Sequence, residues 1–457
     1  MSDTTSAEET NVIPQKEDTS WYRPVYSWYV VVVLTIAYTL SFIDRQIINL
    51  LIGPIKADLG ISDFEISLLT GIAFAFFYTI LGIPLGSLAD RKNRKWIISG
   101  GLFLWSLMTM ACGFAKNFTS LFLARMGVGV GEATLSPCAY SMISDYFPKD
   151  KLARAHSFYT MGIYLGSGLA FILGGWVISF VADSATVVLP LIGEVRSWQA
   201  AFIAVGAPGI FYLVFIFAIK EPKRRGLVKP EGQNDIGVKE GLAYIFKRKA
   251  AYMTIFVAIA LNSLQGYGSA TWTPEFFVRV HGFERADIAY LFGFMILIFQ
   301  TSGVLSGGWF ADKMEMRGVK DAKIRVALIA AICALPFKVS FGIVDDPTLA
   351  LILLAIGSYF LSVPYGVAAA ALQMISPNEM RGKVIAVYFF VINMIGLGLG
   401  STVIASFTDF VFMDEMMVGW SMAVTATICL PIQIFILYKA LNPYKKMVEK
   451  AEKGYSL

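Results

Sequence analysis

The chain is predicted to be an all-α integral membrane protein, with twelve transmembrane helices arranged as two pseudo-symmetric six-helix bundles. Composition is the first reason: the 457 residues are 56% hydrophobic and only 16% charged. Mean hydropathy is +0.63. A soluble domain is roughly 45–50% apolar and about 25% charged, so this chain has too little polar surface to coat a soluble body. Long apolar runs are the second reason and a weak internal repeat is the third. Together they exclude a soluble enzyme, a disordered chain and a secreted disulfide scaffold.

A helix that crosses a bilayer needs about 20 predominantly apolar residues. Runs of this kind are centred in 28–52, 66–88, 97–116, 119–142, 155–181, 198–219, 251–276, 286–310, 324–343, 349–372, 383–408 and 417–438. They divide the chain into a tail (1–27), an amino-terminal bundle (28–219), a linker (220–250), a carboxyl-terminal bundle (251–440) and a second tail (441–457). Residues 1–20 are polar and of mixed charge, so they read as a solvated tail and not as a signal peptide. Within the linker, Val238 to Phe246 fits either a short amphipathic surface helix or a solvated connection.

Lysine and arginine placement sets orientation. With the amino terminus inside, thirty of the 38 basic residues fall on the inner side. The outer ends hold six: Lys56, Lys116, Arg196, Arg279, Arg285 and Lys338. Both termini are therefore expected in the cytoplasm, with the protein in the cell (inner) membrane. The halves also repeat. Asp90-Arg91 follows the second run as Asp312-Lys313 follows the eighth, and Met142, Pro148 and Tyr159 correspond to Met374, Pro377 and Tyr388. Repeats of this kind mark transporters whose substrate site lies near the midplane, between the halves.

Gly86-Ser-Leu-Ala-Asp90-Arg91-Lys-Asn-Arg94-Lys95 resembles the major facilitator superfamily motif between spans two and three. Asn93 stands where the family usually has glycine, and asparagine is the next-best residue for a left-handed turn. Arg125, Gly129 and Gly131 resemble the fourth-span motif. A narrower likeness, to the spinster branch, comes from Ile43-Asp44-Arg45-Gln46, Ile61-Ser62-Asp63 and Gly129-Val-Gly131-Glu132-Ala133 with Pro137, Asp145 and Pro148. The resemblance implies a secondary transporter working by alternating access; spinster-like proteins in animals move lysophospholipids and sphingosine-1-phosphate.

Charge inside a span costs about 2.5–3.5 kcal/mol at a helix centre, so each case calls for a partner. At about 1.5 Å per residue, Asp44 and Arg45 lie roughly 24 Å beyond the inner end of span one, and Arg125 reaches the level of Asp44. Arg125 and Glu132 are two turns apart and share a face. These four are expected to form one cluster. One use is a neutral packing knot. The functional use gives Arg45 to an anionic headgroup, which guanidinium binds bidentately, with Arg125 alongside. Glu132 becomes the proton site, answering to whether Arg45 is occupied. Asp44 orients an arginine or shares the proton.

Asp90 is expected to cap the start of span eleven near Arg381 and to pair with Arg91, Arg94 or Arg154. Such contacts would join the halves when the cytoplasmic side closes, with Asp145 and Asp312 in the same gating set. In the carboxyl half, Asn262, Gln265, Tyr267, Trp272, Gln300, Tyr365 and Asn393 interrupt the apolar pattern. Each fits a packing hydrogen bond or a neutral, aromatic cavity wall.

No cofactor is expected. GxxxxGK[ST] is absent, the glycine runs lie inside apolar spans, and the four cysteines and two histidines suggest no metal site. Expected partners are an amphipathic or anionic small molecule, protons and membrane lipids, with no nucleic acid and a monomeric state. The favoured substrate is a lysolipid-type anion; the alternative is a small carboxylate or sugar acid. No enzymatic motif such as HExxH or GxSxG occurs.

Overall fold

Caps written into the loops set where helices begin. Ser62 and Glu65 form a reciprocal capping box at Asp63–Thr70, Asn117 and Ser120 do so at Phe118–Glu132, and Asp346 caps Pro347–Met374 with proline in the first turn. Gly60 (φ 64°) and Gly282 (φ 69°) end their helices in the left-handed conformation that suits glycine. The computed structural model describes residues 22–181, 186–189, 193–224 and 238–453.

The amino-terminal half comprises span one (Pro24–Gln46), span two (Asp63–Thr70 and Ile72–Arg91), span three (Arg94–Cys112), span four (Phe118–Glu132 and Leu135–Tyr146), span five (Lys149–Val181) and span six (Ser197–Ala218). The carboxyl-terminal half has span seven (Lys249–His281), span eight (Arg285–Glu315), span nine (Ala322–Ser340) and span ten (Pro347–Met374). Span eleven (Asn378–Ile392, continuing to Phe412) and span twelve (Val418–Glu452) complete it. Among the described residues, nine of these helices are long and apolar enough to cross a membrane. The other three are spans four, seven and nine: span four is divided into pieces of 15 and 12 residues, span seven is interrupted by Asn262, Gln265 and Tyr267, and span nine carries Lys323, Arg325 and Lys338.

Several local features differ from the sequence reading. Span four is broken at Ala133-Thr134, directly after Glu132. The connection after span one contains a helix, Ile52–Leu59, and that before span six holds an antiparallel hairpin of β1 (Thr186–Leu189) and β2 (Gly193–Arg196). Of the two linker alternatives the helix forms: Val238–Lys247 lays Tyr244 and Ile245 on the carboxyl bundle and leaves Phe246 exposed. Asn93 does not make a left-handed turn. Its φ is −69°, and its side chain accepts from the Trp96 amide, so it serves as an N-cap.

The apolar cores show which side is shut. One buried cluster lies within the amino half (Leu34, Phe74, Trp105, Tyr159) and another within the carboxyl half (Tyr252, Phe256, Leu372, Tyr388). The third joins both halves at their outer ends, packing Ile47, Leu50 and Phe171 with Trp272, Phe292 and Ile296. Cross-half packing is concentrated there. The outer side is closed, and the molecule is in an inward-facing arrangement.

Candidate functional site

Span one places Arg45 in its last helical turn, buried to 6% exposure, and Glu132 meets it from the end of the first piece of span four. Arg45 Nη2 donates to Glu132 Oε2 at 2.5 Å. The guanidinium lies 4.4 Å from the centroids of both Phe42 and Phe74 and 4.9 Å from that of Tyr78. Cation–π contact of this kind offsets desolvation of the charge. Two valences stay open: Arg45 Nε and Glu132 Oε1 are buried with no hydrogen-bond partner. A buried charge pair with one spare donor and one spare acceptor can open toward a ligand and a proton without leaving either partner wholly unsatisfied.

The four-charge cluster is only partly formed. Arg125, fully buried, gives its nitrogens to backbone carbonyls: Nε to Leu69 at 3.3 Å, Nη1 to Asp44 and Nη2 to Arg45, both at 3.4 Å. Those carbonyls are the unsatisfied ends of two helices, which cationic side chains commonly cap. Arg125 is thus a staple behind the site, and its guanidinium does not line the cleft. The Asp44 carboxyl makes no ion pair with it and turns toward Trp105 and Thr109 of span three.

The carboxyl half supplies Tyr267, which faces Arg45 across the boundary between halves. Tyr365 bonds Ser263 at 3.0 Å, and Tyr164 and Tyr388 lie close by in the same group of phenols. Asn262, Gln265 and Trp272 do not reach the cleft. Asn262 donates to the Leu361 carbonyl and accepts from Gln433; Gln265 is buried beside Cys429; Trp272 Nε1 donates to the Ser401 carbonyl. These are packing bonds inside the bundle. Gln300 and Asn393 are half-buried, in π-helical turns of spans eight and eleven, Ile296–Gln300 and Asn393–Leu397.

Among the described residues, the contacts expected of a cytoplasmic gate are not made. Arg94 is buried within the amino half, on Asp145, Glu221 and Ser141, because Glu221 folds back onto the start of span three. Arg381 donates to the Gln373 and Ser376 carbonyls in its own half. Arg91, Arg154 and Asp312 are exposed, and the Asp90 side chain lies outside the described residues. An open inner side leaves such contacts unmade.

The closed outer side carries a network the sequence reading missed. Asp63 accepts from Arg279 Nη1 and Nη2 at 2.7 and 2.9 Å and also pairs with Lys56. Glu275 holds Arg279 and Arg285 and accepts the Gly53 amide at 3.2 Å, while Asp409 accepts the Phe64 amide at 2.7 Å. Lys56 reaches Glu415 at 2.8 Å. A pocket of about 390 Å³ opens over Lys56, Glu275, Arg279 and Glu415. In sequence, Lys56, Arg279 and Arg285 read only as scattered outer charges; their pairing needs the fold. Lys338, counted among the outer-end charges, is 1% exposed inside the carboxyl bundle, where its ammonium donates to Ser269 at 2.9 Å.

Residues 34–401 match the family model of the Major Facilitator Superfamily. The chain belongs to that superfamily. It is similar, at 25% identity and a TM-score of 0.77 over 95% of this chain and 99% of the other, to the crystal structure of a bacterial homolog of the human lysosomal transporter Spinster in an inward-facing and unoccupied conformation. Protein spinster homolog 1 of Xenopus tropicalis is 26% identical over 81% of this chain and 71% of its own. An MFS-type efflux pump of Mycolicibacterium smegmatis (26%; 85% and 86%) and the D-galactonate transporter of Escherichia coli O6:H1 (26%; 75% and 81%) are similar too. The chain is a spinster-like, multi-pass secondary transporter of the membrane and not an enzyme.

Proposed function

We propose that this facilitator carries an amphipathic, lysolipid-type anion by alternating access coupled to protons, with Arg45 as the anion site and Glu132 as the proton site. The single observation behind this reading is the buried Arg45–Glu132 pair, with Arg45 Nε and Glu132 Oε1 left unpartnered. A carboxylate and an arriving acid group compete for one guanidinium. Protonation of Glu132 frees Arg45 for the anion, and anion arrival favours protonation of Glu132. That competition links the two fluxes. Asp44, one residue from Arg45 and buried, shares the proton. Phe42, Phe74 and Tyr78 offer an apolar wall to a tail whose head sits on Arg45. Both halves of the cleft come from one chain, which suffices as a monomer.

A second reading is a small hydroxylated acid. The grouped hydroxyls of Tyr164, Tyr267 and Tyr365 favour it, as does similarity to a D-galactonate transporter. Flux of labelled lysophospholipid and of galactonate into proteoliposomes, each with and without an inward proton gradient, tests both. Gradient-driven lysolipid flux with no galactonate flux supports the first reading, and the converse supports the second. Gradient-independent flux of both rejects proton coupling.

A further inference from the structure

The pocket of about 390 Å³ over the outer gate lies on the seam between the halves. On the amino side it is bounded by the helix Ile52–Leu59 and the glycine that ends it, where Ala57 and Gly60 leave open space that larger side chains would fill. Three cations line it: Lys56 from that helix, and Arg279 and Arg285 from the carboxyl half. The Lys56 and Arg279 side chains are only 9% and 11% exposed. Sites for small ligands commonly enclose roughly 300–1,000 Å³ with a few convergent polar groups.

The carboxylates that meet these cations are of two kinds. Asp63 and Glu275 are buried, Asp63 pairing with Lys56 and Arg279, and Glu275 with Arg279 and Arg285. Glu415 is the other kind. Its side chain is 60% exposed, on the 3₁₀ turn Glu415–Met417, shortly after Met413, whose φ of 54° is uncommon for a residue with a side chain. It reaches Lys56 Nζ at 2.8 Å and Arg279 Nη1 at 3.8 Å. Exposed ion pairs contribute only about 0–1 kcal/mol. Glu415 is thus a loosely held carboxylate seated between cations of opposite halves. Asp409 accepts the Phe64 amide and does not line the pocket. With Glu415 turned out to water, three cations stand against two carboxylates, Asp63 and Glu275, and the seat keeps one positive charge.

We propose that this pocket is a second ligand site, open to the outer side, which takes a water-soluble phosphate-type anion in place of the Glu415 carboxylate and latches the outer gate shut. A phosphate has more acceptor oxygens than a carboxylate, so it can hold Lys56 and an arginine together, and guanidinium binds it bidentately. Lys56 belongs to the amino half and Arg279 and Arg285 to the carboxyl half. A bridging anion is therefore held only while the halves meet on the outside. A ligand with that preference shifts the population toward the inward-facing arrangement. The site makes an outside anion an inhibitor of the transport cycle. The inference rests on alternating access and on no particular substrate at Arg45.

The rate at which an impermeant thiol reagent labels Ser401→Cys, followed in the full chain in detergent at fixed ionic strength, reads the open population against added inorganic phosphate. Phosphate at ten times its half-saturating concentration is expected to slow labelling about tenfold, the change expected of a ligand held by one state alone. Chloride at the same ionic strength is expected to leave the rate unchanged. Glu415→Gln removes the competing charge and is expected to lower the half-saturating concentration several-fold. Ala57→Glu sets a carboxylate at an exposed position of the pocket wall and keeps every gate pair; it is expected to raise that concentration several-fold. Labelling that rises in Asp63→Ala yet ignores phosphate would overturn the site and leave the gate standing. Phosphate that slows labelling equally in the parent, Glu415→Gln and Ala57→Glu would also overturn it, because the anion would then bind elsewhere.

Discussion

Asp63, at the start of span two, receives both terminal nitrogens of Arg279, from span seven, across the boundary between the two halves. Both side chains are largely buried, and neither lies near Arg45. Their pairing exists only while the outer side is shut, so it weights the inward-facing arrangement without touching the ligand. Removing Asp63 would leave Arg279 and Lys56 without a shared carboxylate. Breaking a buried pair from one side costs about 3–5 kcal/mol. Asp63→Ala is therefore expected to move the resting population outward by two orders of magnitude or more, read as increased labelling of Ser401→Cys by an impermeant thiol reagent. Unchanged labelling would remove Asp63 from the gate.

Gly53 tests the same network more gently. A Cβ there would sit 2.0 Å from Arg285 Nη2, displacing the guanidinium that pairs with Glu275. Gly53→Ala is expected to favour the outward arrangement by about 1 kcal/mol, the scale of one displaced, partly solvated ion pair. The labelling shift should be several-fold and smaller than that of Asp63→Ala. A larger effect would mean that Gly53 matters for another reason.

Arg125 and Arg45 should separate stability from recognition. Arg125 holds three backbone carbonyls and no carboxylate, so Arg125→Ala is expected to cost ~3 kcal/mol of stability by stranding buried acceptors. It should lower the melting temperature in detergent while leaving apparent substrate affinity in the surviving protein near that of the parent. Arg45→Ala should abolish anion uptake with a smaller thermal change. The reverse pattern would exchange the two roles.

Lys338 is expected to be dispensable for transport. Its ammonium has Ser269 as acceptor and the Phe341 ring at 4.6 Å. Burying an ammonium without an acidic partner is costly, so an apolar side chain of like volume should not destabilise the bundle. Lys338→Met should retain parental flux and unfold at an equal or higher temperature. Loss of flux in stable protein would assign the lysine a part in the cycle.

The topology was legible because apolar run length, basic-residue placement and the Asp90 motif are written in consecutive residues. The meeting of Arg45 with Glu132 was legible too, since charge in a span demands a partner and helical rise puts both at similar depth. What helical rise does not fix is where a long side chain points. Arg125 was expected to face an acid and instead caps carbonyls, because span one and Asp63–Thr70 both end beside it. Asn262 and Trp272 broke the apolar pattern, yet hydrogen-bond demand inside the bundle claimed them, and Gln265 is buried there with them. The outer gate escaped notice because its charges lie as far apart in sequence as Asp63 and Arg279, and the π turns leave no compositional mark at Ile296–Gln300 or Asn393–Leu397.

The competition between Glu132 and an anion for Arg45 is tested most directly by Glu132→Gln in proteoliposomes, comparing gradient-driven uptake with exchange of labelled for unlabelled substrate at equal pH. The amide cannot bind the transported proton, and it leaves Arg45 without a rival charge. Uptake driven by the proton gradient should vanish while exchange persists at or above the parental level. Gradient-driven uptake that survives in this variant would contradict the coupling role of Glu132.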